Sequence, residues 1–462
     1  MFASIQADTV TTVTFFIDTL SVLLLLLIVG LLAVVLRFAG ATLEGDPGRR
    51  RFLMWLGLTG AAVMLLVVSG NLLQFALAWS ATSLLLHRLL VFYPNRPGAL
   101  LAARKKFIVS RLGDACLAVV LVLTWREFGT WDFVSLFDRA AQMATQPSAP
   151  SAQVQIIGLL LAAGAMLKSA QFPFHSWLPD TMETPTPVSA LMHAGIINAG
   201  GFLVIRMSPI LTLSPWAMTL LAVVGAFTAL FAALVMLTQA SVKRGLAFST
   251  IAQMGFMMLE CGLGAFDLAM LHLIAHSLYK AHAFLASGSV VGARAASPAP
   301  VPMLSAIAAA GASVGATLLA ARLLHLDAAA SASSFILVGI FTTALATLVA
   351  HLWTVWSWQR ALAGVGVAFA MAAAYSVLHH AAGLMMPSAA TTAAPLGTIG
   401  MITTVAVLTL LFALNIAAPR FAQWPAVRTL YVHARNGFYL NTLANRFATR
   451  LWPLQPTTKE LL

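Results

Sequence analysis

Long apolar segments recur along the whole chain, and short polar segments separate them. Many of the apolar segments reach about 18 residues or more, the length at which an α-helix can cross the hydrocarbon core of a membrane. The pattern therefore predicts about thirteen membrane-spanning helices. Their approximate bounds are 13–38, 53–69, 71–93, 106–125, 156–177, 186–207, 216–238, 246–263, 266–292, 302–324, 331–357, 360–384 and 396–417.

The composition supports an all-α polytopic membrane protein. Hydrophobic residues make up 60% of the 462 residues and charged residues only 9%, whereas soluble domains contain roughly 25% charged residues. A soluble protein of this composition could not cover its surface with polar groups. The first apolar run, from about Thr14 to Leu36, is too long for a signal peptide and lacks a small-residue cleavage site, so we interpret it as the first span.

The net charge of +12 reflects basic residues at helix ends and in short loops. This distribution is typical of membrane orientation and not of a surface that binds nucleic acid. The first, third and seventh loops are basic, whereas the loops between them are neutral or slightly acidic, so we expect the N-terminus to lie outside the cell. The basic loop residues are Arg49, Arg50, Arg51, Arg96, Arg104, Lys105, Lys106, Lys243 and Arg244.

The two cysteines, Cys116 and Cys261, lie in apolar surroundings, and the chain contains no CxxC motif. We therefore expect no zinc site, iron–sulfur cluster or disulfide framework in this chain.

The sequence divides into a transmembrane region, 1–417, and an amphipathic tail, 418–462. In the tail, aromatic and apolar residues alternate with arginines. Such a segment is typical of a helix at the membrane surface or of an arm that docks on a partner, and composition favours neither.

One lysine, Lys168, lies inside the fifth apolar segment, and Pro173 follows five residues later. An ionisable group in a membrane span costs about 2.5–3.5 kcal/mol on insertion scales, so it calls for a functional reason. Proline breaks the helical hydrogen-bond ladder, and a broken helix is tolerated in a membrane where it lines a wet or protein-filled cavity. We predict that Lys168 exchanges protons. The alternative is a lysine whose amine reaches the membrane surface.

A second group consists of His272, His276 and Lys280, which follow one another at intervals of four residues. They therefore share one helix face and span roughly 12 Å along the axis. Two imidazoles and an amine in line can pass protons with water between them. Packing alone explains this stripe poorly, so we predict a proton pathway along it.

Four further residues extend the predicted pathway. His193 follows the proline-rich segment and could join Lys168 to the second group, although a hydrogen-bonded core histidine fits equally well. Arg111 and Asp114 lie three residues apart at the predicted start of the fourth span. Asp114 would lower the cost of a buried cation, and a local helix-end ion pair is the alternative. Lys243, in a basic loop, completes the set.

Two long stretches, Leu167–Arg206 and Thr238–Val291, resemble the antiporter-like subunits of respiratory complex I and of multisubunit cation/proton antiporters. They include LKSAQFPFHSWLPDTMETPTPVSALMHAG and LHLIAHSLYKAHAF. The likeness begins near Phe15, weakens after Val291 and returns faintly at Leu430–Phe447.

This resemblance implies two inverted five-helix repeats, roughly 53–207 and 216–357, each with a broken helix that bears a lysine. It also implies roles for the residues identified above. Lys168 matches the lysine of the first broken helix, and Lys280, His272 and His276 match the central lysine and its histidines. The residues that match the family's linking histidine and its arginine and aspartate are His193, Arg111 and Asp114.

The chain departs from the family pattern in three respects. The glutamate that follows the tryptophan in a WEG-type motif would fall at Ser80 and is absent. Counterparts of the family's first two helices and of its long lateral helix are also expected to be missing. No lysine lies between Lys280 and Lys459, so the exit lysine of the second broken helix is absent. The candidates to replace it are Arg322, His325 and Asp327.

These departures, together with the sequence of Trp79–Asp114, look like the DabB branch of the family, the membrane subunit of two-part inorganic carbon accumulation complexes. The branch implies a bacterial inner membrane and a large peripheral partner, DabA, whose zinc site resembles that of β-carbonic anhydrases. Flow of protons or sodium ions through this chain would drive hydration of CO2 to bicarbonate in the partner. The chain itself would be a transport subunit without a cofactor, and not an enzyme.

Three other functions stay open from the sequence. A cation/proton antiporter module would keep the same lysines but needs a sodium site and usually a glutamate. A proton-pumping subunit of an NADH dehydrogenase or hydrogenase-type complex would leave the redox chemistry to other subunits. A structural anchor would only hold a soluble partner at the membrane.

Overall fold

The computed structural model describes residues 13–146, 149–289, 301–324, 332–355, 357–385, 410 and 423–453, and over these residues the chain is helical apart from two isolated β-bridges. The predicted all-α class is therefore confirmed. Each of the first twelve predicted spans contains a helix, and the thirteenth falls almost entirely outside the described residues. The helices are α1 Thr19–Thr42, α2 Arg49–Val68, α3 Leu72–Leu90, α4 Pro97–Phe128, α5 Phe133–Ala144, α6 Ala152–Lys168, α7 Thr186–Ala194, α8 Ala199–Arg206, α9 Ser208–Leu211, α10 Pro215–Met236, α11 Val242–Gly262, α12 Phe266–Leu285, α13 Met303–Leu323, α14 Ala332–Leu352, α15 Trp358–Met385, α16 Pro425–Arg435 and α17 Leu440–Leu451.

Seven helical segments within the described residues are long and apolar enough to cross a membrane. They are α1, α2, α4, the combined α7–α8 segment, α10, α13 and α15. Two shorter apolar helices, α6 and residues 338–352 of α14, accompany them. The prediction of a polytopic membrane protein is confirmed.

Helix α4 begins at Pro97, nine residues before the predicted start at 106. Proline is favoured at the first helical position because its missing N–H would have no intrahelical partner there. As a consequence Lys105 and Lys106, predicted to lie in a loop, are helical and only 4% and 3% exposed. Arg111 and Asp114 lie near the middle of the helix and not at its start.

Short loops between α1, α2, α3 and α4 make these helices run in alternating directions. The starts of α2 and α4 therefore lie on one side. The start of α11 lies there too, since Lys105 of α4 bonds to Asp180 and Lys243 of α11 bonds to Thr186, six residues further along the chain. These helix starts carry the basic residues Arg49, Arg96 and Lys243. We call this side the basic side. The other side, at which α1, α3 and α12 begin, is called the opposite side.

The predicted helix break lies directly after Lys168, the last residue of α6. Ala170 has φ +50°, the Phe172–Pro173 peptide bond is cis, and turns lead to a 3₁₀ helix at Pro179–Glu183. A second discontinuity, around Gly195, separates α7 from α8. The Ser169 hydroxyl donates to the Ile197 carbonyl at 2.7 Å, so the two breaks support each other.

Helices α10 and α11 pack closely because glycines face each other between them. A Cβ on Gly225 would lie 2.6 Å from the Gly255 carbonyl oxygen, so no larger residue fits without movement of the backbone. Helices α13, α14 and α15 form a separate, alanine-rich apolar core, and α15 also packs on α12.

The tail folds back onto the basic side of the bundle. Arg104 of α4 donates to the Trp452 carbonyl at 2.7 Å, and its guanidinium lies 5.0 Å from the centre of the Trp452 ring. Phe438 packs against Phe231 of α10, with ring centres 5.6 Å apart. Helices α16 and α17 therefore contact the start of α4 and the end of α10, while much of their apolar surface stays exposed.

Candidate ion pathway

Lys168 is buried at the break after α6, with 8% of the residue exposed. Its amine lies 4.3 Å from the centre of the Trp79 ring and donates to the Trp79 carbonyl at 3.4 Å. The side chain is therefore enclosed within the helix bundle. The amine faces the part of α3 that contains Ser80. This is the position at which the family resemblance implied a glutamate.

A second buried lysine, Lys106, lies near Lys168 and was not predicted from the sequence. Its amine donates to the carbonyl and the hydroxyl of Ser83, at 2.5 and 2.8 Å. Lys106 and Lys168 are close enough to act on each other electrostatically. Both amines are hydrogen-bonded to neutral oxygens of α3, and within the described residues no carboxylate is hydrogen-bonded to either amine.

Arg111 and Asp114 form the expected ion pair, with 2.7 Å between Nη2 and Oδ2. Asp114 is also close enough to Lys168 to interact with it electrostatically, although no hydrogen bond joins them. The pair lies mid-helix and half-buried, which does not fit a local ion pair at a helix end.

The second group surrounds Lys280, which has no exposed surface. Its amine donates to the Leu246 carbonyl of α11 at 3.1 Å. His193 lies in the same group: its Nδ1 is 3.1 Å from the Thr250 hydroxyl, and its ring stacks on Phe284 at 4.2 Å. His193 also interacts electrostatically with Lys280, so the structure places it beside the second group.

His276 and His272 continue from Lys280 along α12, as the four-residue spacing predicted. The two rings lie 6.3 Å apart, and both ring nitrogens of the buried His276 lack a hydrogen-bond partner among the described residues. His276 therefore presents two ring nitrogens, both unpartnered within the described part of the chain, between His272 and Lys280.

His272 connects this stripe to α11. Its Nδ1 lies 2.8 Å from a carboxylate oxygen of Glu260, and its Nε2 lies 2.8 Å from the side-chain oxygen of Gln253. Glu260 lies in the last turn of α11, and its side chain is only 7% exposed. This buried carboxylate was not part of the predicted pathway. The signal that could have identified it is an acidic residue within an otherwise apolar segment.

Lys243 donates to the Thr186 hydroxyl at 2.9 Å, which ties the start of α11 to the start of α7 on the basic side. Nearby, Lys105 donates to Asp180 at 2.5 Å and to the Asn441 side-chain oxygen at 2.6 Å, and Asn441 donates to Asp180 at 3.0 Å. The tail is thus hydrogen-bonded to the segment that follows the helix break.

A bidentate ion pair on the opposite side was also not predicted. Arg206, at the end of α8, donates to both oxygens of Asp18, the N-cap of α1, at 2.7 and 3.0 Å. Burial raises the pKa of the Asp18 carboxyl, but the hydrogen bonds and charge of Arg206, with those from Ser21, outweigh burial and leave this pKa below its usual value. The two residues lie 188 positions apart, so no local pattern indicates the pair.

Of the candidates to replace the exit lysine, Arg322 is exposed near the end of α13. His325 and Asp327 lie outside the described residues. Among the described residues, no group of three or more His, Cys, Asp or Glu side chains is arranged to hold a metal ion.

Comparison with known proteins places the chain in a family. Residues 69–299 match the family model described as NADH:quinone oxidoreductase/Mrp antiporter, TM. The chain belongs to this family. The matched region contains every residue of the predicted pathway.

The chain is 39% identical over 454 residues to the probable inorganic carbon transporter subunit DabB2 of Halothiobacillus neapolitanus, covering 95% of this chain and 80% of that protein. It is also 41% identical over 280 residues to NADH-quinone oxidoreductase subunit L of Mycobacterium tuberculosis, covering 60% of this chain and 43% of that one. The first alignment extends well beyond the segment that carries the motifs.

The fold resembles a chain in the structure of the Mrp complex from Dietzia sp. DQ12-45-1b. The TM-score is 0.55 at 23% identity, and the match covers 99% of this chain and 53% of the other. This likeness supports the antiporter-like fold, and the resemblance inferred from the sequence is confirmed by the family match and by the DabB-type relative.

Proposed function

We propose that this chain is the proton-conducting membrane subunit of an energy-coupled inorganic carbon pump. Ion flow through it would power hydration of CO2 to bicarbonate in a separate, zinc-containing DabA-like partner. In this proposal the subunit lies in a bacterial inner membrane with its N-terminus outside. Its substrate is the ion, and the hydration chemistry belongs to the partner.

The observation that carries the proposal is the buried series of titratable groups within the bundle. Lys168 at the break of α6 is the first, and Lys280, His276 and His272 along α12 continue it, with His193 beside them. Uncompensated ionisable groups within a membrane are expensive and are retained chiefly where ions move. The similarity to a protein named as an inorganic carbon transporter subunit supports the coupling to carbon uptake.

The test uses the chain together with its partner in cells that cannot grow at low CO2. Lys168→Ala and Lys280→Ala should each abolish accumulation of bicarbonate, because each removes one proton-exchanging group. His282→Ala is the matched control, since His282 lies on the same helix as Lys280 but is exposed. All three variants should reach the membrane and bind the partner as the unmodified chain does. Accumulation that persists in both lysine variants would point instead to an anchor.

A second candidate is a proton-pumping or antiporting subunit of a larger complex, and the identity to NADH-quinone oxidoreductase subunit L favours it. Purification of the chain from its native membrane distinguishes this candidate from the carbon pump. Iron–sulfur subunits in the complex, or rescue of a sodium-sensitive host, would favour the second candidate, whereas a single large zinc protein would favour the first.

A further inference from the structure

A polar cavity of about 360 Å³ lies between α12, α13, α14 and α15, towards the opposite side of the bundle. At about 30 Å³ for each water, it has room for on the order of ten water molecules. Six of the ten residues that line it are polar, although the core formed by α13–α15 is rich in alanine. The polar residues that line it are Asp267, Thr317, Tyr375, Ser376, His379 and His380.

Asp267 of α12 and His379 of α15 lie close to each other in the lining of the cavity. The carboxylate of Asp267, in the first turn of α12, lies 3.9 Å from Nε2 of His379 on α15. The Asp267 side chain is 16% exposed and that of His379 is 31% exposed, so both are accessible from the cavity without being surface groups. A carboxylate can accept a proton, and an imidazole can both accept and donate one, so the two side chains together supply the groups that a proton relay needs.

The cavity is connected to the pathway on α12 through Tyr375. This residue lies close enough to both Glu260 and Asp267 to interact electrostatically with each. Its ring centre is 5.9 Å from that of His379. Glu260 in turn is hydrogen-bonded to His272 at 2.8 Å. Titratable groups therefore occur in succession from Lys280 along α12 to Glu260, Tyr375 and the cavity.

We propose that this cavity is the aqueous terminus of the ion pathway, at which Asp267 and His379 exchange protons between water on the opposite side and the Glu260–His272 pair. The inference rests on the proposed function, because it assigns one end of the same pathway. Protons are exchanged in this step between carboxylate, imidazole and water, and no covalent bond to a heavy atom forms or breaks.

Water access can be tested without measuring transport. In a background with Cys116→Ala and Cys261→Ala, the variant Ser376→Cys should react with a membrane-impermeant thiol reagent added on the opposite side of sealed vesicles. It should not react when the reagent is added on the basic side. Ala372→Cys is the matched control, since Ala372 lies one turn away on α15 and is 1% exposed. Absence of labelling at Ser376→Cys, or labelling only from the basic side, would overturn the proposal.

Transport supplies the second test, with the complex reconstituted in liposomes and driven by a potassium diffusion potential. Asp267→Asn and the double variant Asp267→Asn/His379→Gln should lower proton flux to the leak rate of protein-free vesicles. The control is His351→Gln, at an exposed position of α14, which should leave the proton flux unchanged. Lys280→Ala is measured alongside. If Lys280→Ala loses flux but the Asp267 variants keep it, the cavity is not the terminus and the proposed function stands. If Lys280→Ala keeps full flux, the proposed function itself fails.

Discussion

The ion pair between Asp18 and Arg206 offers a measurable test of the fold, through the variant Asp18→Asn. Arg206 donates to both carboxylate oxygens and also to the Ser21 hydroxyl, at 2.7 Å. Asparagine is as good an N-cap as aspartate, so it can still accept the hydrogen bond from the Ser21 backbone. The substitution therefore removes the negative charge and leaves the cap of α1 in place.

The expected magnitude follows from the exposure of the two partners. The Arg206 side chain is 3% exposed, whereas that of Asp18 is 38% exposed. Breaking a fully buried ion pair costs about 3–5 kcal/mol, because it leaves a buried charge without a partner. An exposed pair contributes about 0–1 kcal/mol. Since solvent screens Asp18, we expect Asp18→Asn to lower the free energy of unfolding by about 1–3 kcal/mol.

The pH dependence of this difference has a defined sign. The pKa of Asp18 is lowered in the folded chain, so the stabilisation is complete above the unfolded value of about 3.9 and is lost as the pH falls through the folded value. The difference in the free energy of unfolding between the unmodified chain and Asp18→Asn should therefore stay constant from neutral pH to about pH 5. In stronger acid this difference should disappear. Denaturant unfolding in detergent micelles at several pH values measures it.

Asp132→Asn is the matched control. Asp132 is the N-cap of α5, and its carboxylate accepts from the Ser135 backbone at 3.0 Å. No ion pair involves it among the described residues. This variant should change the free energy of unfolding by less than about 0.5 kcal/mol. Equal losses of unfolding free energy in Asp18→Asn and Asp132→Asn would refute the reasoning. So would a difference between the unmodified chain and Asp18→Asn that grows in acid.

Two further variants test packing and the docked tail. Gly255→Leu should prevent stable folding, since a Cβ at this position would lie 2.5 Å from the Ala229 backbone nitrogen; yield and monodispersity in detergent report the loss. Asn441→Ala removes the hydrogen bonds to Lys105 and Asp180, each worth about 0.5–1.5 kcal/mol or more where a charge takes part. Trypsin should then cleave the arginine-rich tail several-fold faster, as followed by mass spectrometry.

Both variants have controls on the same helices. A Cβ on Gly245 would meet nothing within 4 Å, so Gly245→Leu should leave the yield unchanged. Asn445 lies one turn beyond Asn441, and its side-chain oxygen has no hydrogen-bond partner within the described residues. Asn445→Ala should therefore leave the cleavage rate unchanged, and equal cleavage of the two asparagine variants would contradict docking through Asn441.

The positions of the spans could be predicted because hydrophobicity repeats at the scale of the membrane thickness. The start of α4 could not be predicted in this way, because its basic residues were interpreted as a loop. These residues are Arg96, Arg104, Lys105 and Lys106. In the structure Pro97 begins the helix, and Lys105 and Lys106 are buried because Asp180, Asn441 and Ser83 supply acceptors from other segments. Those acceptors are remote in sequence. A prediction based on charge alone therefore started α4 too late in the chain.

The candidate pathway was predictable where its residues share one helix. A spacing of four residues determines that His272, His276 and Lys280 lie on one face, whatever the tertiary arrangement. The pairing of Glu260 with His272 depends instead on how α11 packs against α12, and that of Asp18 with Arg206 on the whole bundle. Contacts between helices need the three-dimensional arrangement, which hydrophobic periodicity does not contain.

The distribution of carboxylates between the two halves of the pathway bears on how it works. Around Lys168 the hydrogen-bond acceptors of both buried amines are neutral, and the nearby Asp114 is already paired with Arg111. Around α12, by contrast, Glu260 is bonded to an imidazole of the proposed pathway itself. A buried charge is stabilised chiefly by a partner of opposite sign. The half of the pathway along α12 therefore contains a carboxylate hydrogen-bonded to one of its own imidazoles, whereas, among the described residues, the half around Lys168 contains amines bonded only to neutral oxygens. This difference favours the α12 half as the place where the pathway meets the polar cavity.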